Sequence, residues 1–252
     1  MSQSGQFGHF SWHDYMSADP TTAIPFYQAL LGWQVEAFPV PNEEAMYHMF
    51  SVEGINMGGF MADPSPNRPS AWVSYVNTPD VAASMQKNEA LGGKTLIPAF
   101  QIETVGQIGL CADPMGAPFW AATWDTPYVP QRPVYGCIMW HEYQGKNAVE
   151  ALAYYQEMFG WTTGQTMDVP GGVYHIFQIA GQDAGGFFQS EEALPFPNNW
   201  LPYVYVQDLD GLQQKTEELG GLVAVPPTAI PGGGKFMVIL DPQQAMLGLL
   251  TD

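Results

Sequence analysis

The chain has 252 residues with 7 Lys+Arg against 25 Asp+Glu, a formal net charge of −18. That balance excludes nucleic acid and anionic membrane surfaces as partners, because both recruit clustered Lys and Arg. Charged residues make up 13% and hydrophobic ones 46%, a core-forming composition and not that of an acidic disordered segment.

Phe10 to Met16 alternates as a strand does. Asp19-Pro20 reads as a helix N-cap followed by proline at the first helical position. The helix runs to Leu31 and Gly32 ends it, with Pro25 expected to kink or shorten it. Short strands follow around Trp33–Phe38, Met46–Val52 and Met57–Ala62, then Trp72–Val76. A second helix spans about Pro79 to Leu91, closed by Gly92-Gly93. Two further strands lie around Gln107–Ala112 and Pro118–Thr123. Thr126 to Pro133 is proline-rich, a stiff connector.

The same text then starts again. Trp12-His13-Asp14-Tyr15 returns 128 residues later as Trp140-His141-Glu142-Tyr143. Phe26-Tyr27-Gln28 and Leu31-Gly32-Trp33 return as Tyr154-Tyr155-Gln156 and Phe159-Gly160-Trp161. Trp72 and Tyr75 match Trp200 and Tyr203; Leu91-Gly92-Gly93 matches Leu219-Gly220-Gly221; Asp113-Pro114 matches Asp241-Pro242. Tyr47-His48 and Gly58-Gly59-Phe60 return as Tyr174-His175 and Gly185-Gly186-Phe187, one residue closer. A duplication of this kind predicts two homologous domains, 1–126 and 134–252, joined by a linker over 127–133. Each domain holds two βαβββ modules, four in the chain, which predicts α+β sheets with helices on one face.

Asp19-Pro20, Phe26-Tyr27 and Leu31-Gly32-Trp33 together resemble the first strand–helix unit of the vicinal oxygen chelate superfamily. This group includes glyoxalase I, extradiol dioxygenases and the bleomycin- and fosfomycin-resistance proteins. Asp113-Pro114-Met115-Gly116 is similar to its closing DPxG turn; the second copy keeps Asp241-Pro242 but has Gln243-Gln244. The resemblance covers nearly the whole chain. It implies two tandem glyoxalase-like domains, each a cup-shaped sheet with helices outside. The Trp-His-Asp/Glu-Tyr opening looks like a two-domain bacterial subgroup.

The resemblance also implies a divalent metal held by His, Glu or Gln inside the cup, with coordination positions left open to substrate oxygens. The ligand-equivalent positions here are Trp12, Val73 and Trp120 in the first half and Trp140, Leu201 and Gly248 in the second. The remaining one falls on Gly58–Met61, matched by Gly185–Phe188. None of these supplies a hard ligand. A register one residue different would turn His13 and His141 inward, still without partners. No cofactor is therefore expected.

The candidate ligand-binding residues are Trp12, Asp14, Tyr75 and Trp120 in the first cup and Trp140, Glu142 and Tyr203 in the second. Trp12, Trp33, Trp120 and Trp140 suit either a stacking surface or the core. Asp14 and Glu142 share a face with Trp12 and Trp140. In an apolar cup a carboxylate would act as a general base, or would pair with a Tyr hydroxyl, for which Tyr75 and Tyr203 have the right parity. His48 and His175 read as core or edge histidines. Gly232-Gly233-Gly234-Lys235 lacks P-loop spacing and reads as a hairpin turn.

These readings predict a protein that sequesters a small apolar or aromatic molecule. The alternative is a lyase or dioxygenase, metal-dependent with displaced ligands or metal-free through Asp14 or Glu142. Trp120 against Gly248 predicts the better cavity in the first domain. The small molecule is the expected partner, with the chain a monomer or homodimer. Met1 to Phe10 has no basic or apolar signal region, no run approaches the ~20 apolar residues of a membrane span, and Cys111 and Cys137 form no CxxC. A reducing cytoplasm is the expected location.

Overall fold

The computed structural model describes residues 7–40, 45–63, 68–125, 134–192 and 196–252. The linker predicted over 127–133 lies outside the described residues. The first half runs β1 (Phe10–Ser17), a short 3-10 turn (Pro20–Ala23), α1 (Ile24–Leu31), β2 (Gln34–Pro39), β3 (Met46–Val52) and β4 (Ile55–Ala62). It continues as β5 (Ala71–Asn77), α2 (Val81–Ala90), β6 (Lys94–Ile102), β7 (Gly106–Ala112) and β8 (Pro118–Trp124). The second half repeats it as β9 (Ile138–Gly145), α3 (Ala148–Phe159), β10 (Thr162–Val169), β11 (Gly172–Ile179) and β12 (Gln182–Ser190). Then come β13 (Asn199–Tyr205), α4 (Leu209–Glu218), β14 (Leu222–Ala229), β15 (Lys235–Leu240) and β16 (Met246–Thr251). The predicted βαβββ order holds four times, and the fold is the expected pair of eight-stranded sheets.

Two local expectations are corrected. Pro25 does not kink a long helix: a 3-10 turn takes Pro20–Ala23 and α1 starts afresh, placing Pro25 in its first turn, where a missing N–H costs nothing. Asp19 makes no side-chain cap; its Oδ1 accepts instead from Thr21 Oγ1 at 2.8 Å. The strand β6 has no counterpart among the predicted elements. Both α1 and α3 end as expected, on Gly32 and Gly160 at φ 73°, a left-handed turn that favours glycine.

The strand orders are β2-β3-β4-β1-β5-β8-β7-β6 and β10-β11-β12-β9-β13-β16-β15-β14. β1 pairs with β4 in parallel, as do β5 with β8, β9 with β12 and β13 with β16. Hairpins such as β3–β4 and β14–β15 are antiparallel, and the Gly232–Gly234 segment is the turn of the latter. Among the described residues no helix is long and apolar enough to cross a membrane.

The chain divides into two compact units that cut across the halves of the sequence. One comprises Met1–Ser11, Ser74–Val129 and His141–Trp200; the other Trp12–Val73, Pro130–Trp140 and Leu201–Asp252. The first unit's core includes Phe10, Val76, Phe119, Tyr143, Tyr155, Trp161 and Trp200. The second's includes Tyr15, Tyr27, Trp33, Phe50, Phe60, Trp72, Ile138 and Leu247. Repeat-equivalent residues are thus exchanged: Phe10 stacks on His141 at 3.8 Å, while Ile138 packs into the core of Tyr15 and Trp33. The tryptophans of the Leu/Phe-Gly-Trp motif fasten the exchange. Trp33 Nε1 donates to the Gly136 carbonyl at 2.8 Å, and Trp161 Nε1 to the Gly8 carbonyl at 3.0 Å.

Candidate functional site

Strand alternation sorts the residues of β1. Tyr15 packs against Tyr27 of α1 and against Trp72, so Trp12 and Asp14 point to the opposite, helix-free face. There Trp12 Nε1 donates to Tyr47 Oη at 2.8 Å and to Asp14 Oδ1 at 3.2 Å, and Tyr47 Oη donates to Asp14 Oδ1 at 2.7 Å. Asp14 is buried and Trp12 half-buried. Burial, and next the negative charge of Asp14, hold the Tyr47 phenol well above its usual range, so it remains a donor. Tyr47 on β3 is thus a hydroxyl partner of Asp14 that strand parity did not offer.

Gly59 seats Tyr47. It is the register partner of Asp14, and a Cβ at position 59 would come within 2.2 Å of the Tyr47 ring. The second half repeats the seat: Gly186 is the register partner of Glu142, and its Cβ would meet the Tyr174 ring at 2.1 Å. Glu142 accepts from Gln144 Nε2 at 2.8 Å. Trp140 packs against Leu201, Tyr203 and Val238.

Tyr75 and Trp120, neighbours across β5 and β8, stack at 5.3 Å with planes 10° apart. Trp124 lies 5.6 Å from Tyr75, and Phe100 packs edge-on to Trp120 at 6.4 Å. Trp120 is only 1% exposed, so Tyr75 covers the ring face on which a ligand was expected to stack. At the repeat-equivalent of Trp120, Gly248, the Tyr203 ring fills the space; a Cβ there would sit 2.3 Å from it.

The histidines lie on the other face. His13 is buried, its Nδ1 3.2 Å from the Met57 carbonyl, and burial pushes its imidazole down to about 4. His141 is buried against Phe10. His48 is the register partner of Phe60, which packs with Tyr15, and His175 Nδ1 is 3.1 Å from Thr166 Oγ1. The positions that the resemblance gives as cation ligands, Trp12, Val73, Trp120, Trp140, Leu201 and Gly248, carry no hard ligand. Among the described residues no three His, Cys, Asp or Glu gather closely enough to hold one.

Sequence reasoning also missed two buried acid–tyrosine pairs. Tyr155 Oη donates to Asp113 Oδ2 at 3.2 Å while Asp113 Oδ1 accepts from the amides of Met115 and Ala117. Tyr27 serves Asp241 in the same way, with the amides of Gln243 and Ala245. Burial raises both carboxyls above their usual range, and the hydrogen bonds oppose it. The signal was the pairing of repeated Tyr27/Tyr155 with repeated Asp113/Asp241, which alternation within one strand does not reveal.

No family model matches the chain. It is 30% identical over 246 residues to the Mycobacterium bovis protein named "Putative glyoxylase CFP32", covering 95% of this chain and 93% of that one. It is 25% identical to the anthracycline biosynthesis protein DauV of Streptomyces sp. strain C5, over 93% and 90% of the two chains. In fold it is similar to 2,2',3-trihydroxybiphenyl 1,2-dioxygenase of Sphingomonas wittichii, with a TM-score of 0.70 at 12% identity over 98% and 91%.

Proposed function

The chain belongs to the vicinal oxygen chelate superfamily of glyoxalases, extradiol dioxygenases and bleomycin-resistance proteins, and within it we propose that it binds a small apolar or aromatic molecule without a metal. The observation that carries this is the set of side chains at the cation positions: Trp12, Val73 and Trp120, then Trp140, Leu201 and Gly248. None of these side chains is a hard ligand. Trp12 is half-buried on the helix-free face, with its N–H donated to Tyr47 and Asp14. The relative named for anthracycline biosynthesis supports an aromatic ligand. A net charge of −18 favours a neutral or cationic molecule over an anion. The small molecule is the partner in this reading, with Asp14 as its polar neighbour beside Trp12.

Burial of the Asp14 carboxylate favours a second reading, a lyase or dioxygenase in which Asp14 or Glu142 takes a proton from the substrate. Equilibrium dialysis against anthraquinone tests the first. Saturable binding that Trp12→Ala abolishes and Trp140→Ala weakens less is the expected result. Absence of saturable binding, or binding unchanged in Trp12→Ala, would overturn it.

A further inference from the structure

The chain has 8 tryptophans. Six indole N–H groups have a named acceptor. Those of Trp12, Trp72 and Trp200 donate to Tyr hydroxyls, that of Trp124 to Ser11 Oγ, and those of Trp33 and Trp161 to backbone carbonyls. Trp120 departs from this pattern. Its Nε1 is buried and has no hydrogen-bond partner among the described residues. An indole N–H sealed without an acceptor is destabilising, and native structures rarely keep one without a use.

The surroundings define what would satisfy it. Tyr75 lies parallel to the indole and Phe100 packs against it edge-on. A lone water needs two to four polar partners and suits such an aromatic wall poorly. A molecule with a flat apolar body and one oxygen acceptor suits it well. Phe100 stands on β6, at the edge of its sheet, and is 43% exposed, so the aromatic cluster around Trp120 reaches solvent through that ring.

Building on the metal-free binding reading above, we propose that Trp120 Nε1 is the hydrogen-bond donor to an oxygen of a molecule held beside Tyr75 and Phe100. The ligand class is thereby narrowed to flat aromatic ketones and quinones. Trp120 is a specificity-determining residue in this assignment: it selects for the oxygen, while the neighbouring rings accept the skeleton.

Fluorenone and fluorene share one skeleton and differ by the ketone oxygen. In equilibrium dialysis fluorenone should bind roughly fivefold to tenfold more tightly, the effect of one hydrogen bond. Trp120→Phe should erase that preference, and Trp124→Phe, whose N–H is spent on Ser11, should retain it. In the unmodified protein the Trp120 indole proton resonance, assigned by its contacts to Tyr75, should move downfield with fluorenone and not with fluorene. That measurement decides the matter even where Trp120→Phe does not fold. Equal binding of the two probes, or an unmoved resonance, overturns the donor assignment and leaves the binding reading standing. Absence of binding by both probes overturns both.

Discussion

Tyr27 Oη donates a 3.0 Å hydrogen bond to Asp241 Oδ2, 214 residues further along the chain. The hydroxyl is also the acceptor for Trp72 Nε1 at 3.0 Å, so one oxygen satisfies a buried donor and a buried carboxylate together. Trp200, Tyr155 and Asp113 repeat the relay, with Trp200 Nε1 donating at 2.8 Å.

Tyr27→Phe takes the acceptor from Trp72 Nε1 and one donor from Asp241, which keeps the amides of Gln243 and Ala245. Removing one hydroxyl from such a relay costs about 1–3 kcal/mol, and Tyr155→Phe should cost a similar amount. The two relays share no residue, so the losses should add in the double variant. Chemical denaturation of the three variants measures this; a neutral Tyr27→Phe would show that Asp241 needs no donor from α1.

Gly59→Ala places a methyl where the Tyr47 ring lies 2.2 Å away. Tyr47 must leave Asp14, so the variant should lose about 1–3 kcal/mol of stability by overpacking. It should also lose Trp12-dependent ligand binding. Gly186→Ala should cost as much in stability through Tyr174, while leaving binding through Trp12 intact. Thermal unfolding read beside dialysis separates the two effects.

Stability should fall as pH drops through the range set by His13. Its folded imidazole is held at about 4 by burial, against 6.5 when unfolded. Below 6.5 the unfolded chain takes up a proton that the folded chain refuses, so stability is lost progressively until about pH 4. The full effect is on the order of 3 kcal/mol. Denaturant midpoints between pH 7 and 4, compared with those of His13→Gln, should show a slope that the variant lacks.

Added Mn(II), Fe(II) or Zn(II) should leave the melting temperature unchanged, because a cation bound only by the folded state would raise it. A saturable rise would show a site that Trp12, Val73 and Trp120 do not explain.

The repeat made the fold legible, because equal spacing of Trp-His-Asp/Glu-Tyr, Gly-Trp and Asp-Pro marks equivalent elements without any structure. Strand parity also put Trp12 and Asp14 on one face correctly. Tyr47 escaped notice because its role depends on Gly59, across a register that sequence does not state. Trp120 was placed on the helix-free face, yet its burial under Tyr75 is a packing outcome and no pattern announces it. The relays of Tyr27 and Tyr155 were hidden for a different reason: each joins residues from opposite halves, and a repeat aligns equivalents without saying which ones touch.

The carbonyls held by Trp33 and Trp161 have a consequence for synthesis. Trp161 finds its acceptor, Gly8, 153 residues back in chain already made, but Trp33 waits for Gly136, 103 residues ahead. Tyr27 waits longer still, for Asp241 near the C-terminus. On the ribosome the first strand–helix unit therefore emerges with its ring cluster unfinished, and its core closes only when the last strands arrive. Contacts this distant make for slow folding, and the nascent first half is where a chaperone would be needed.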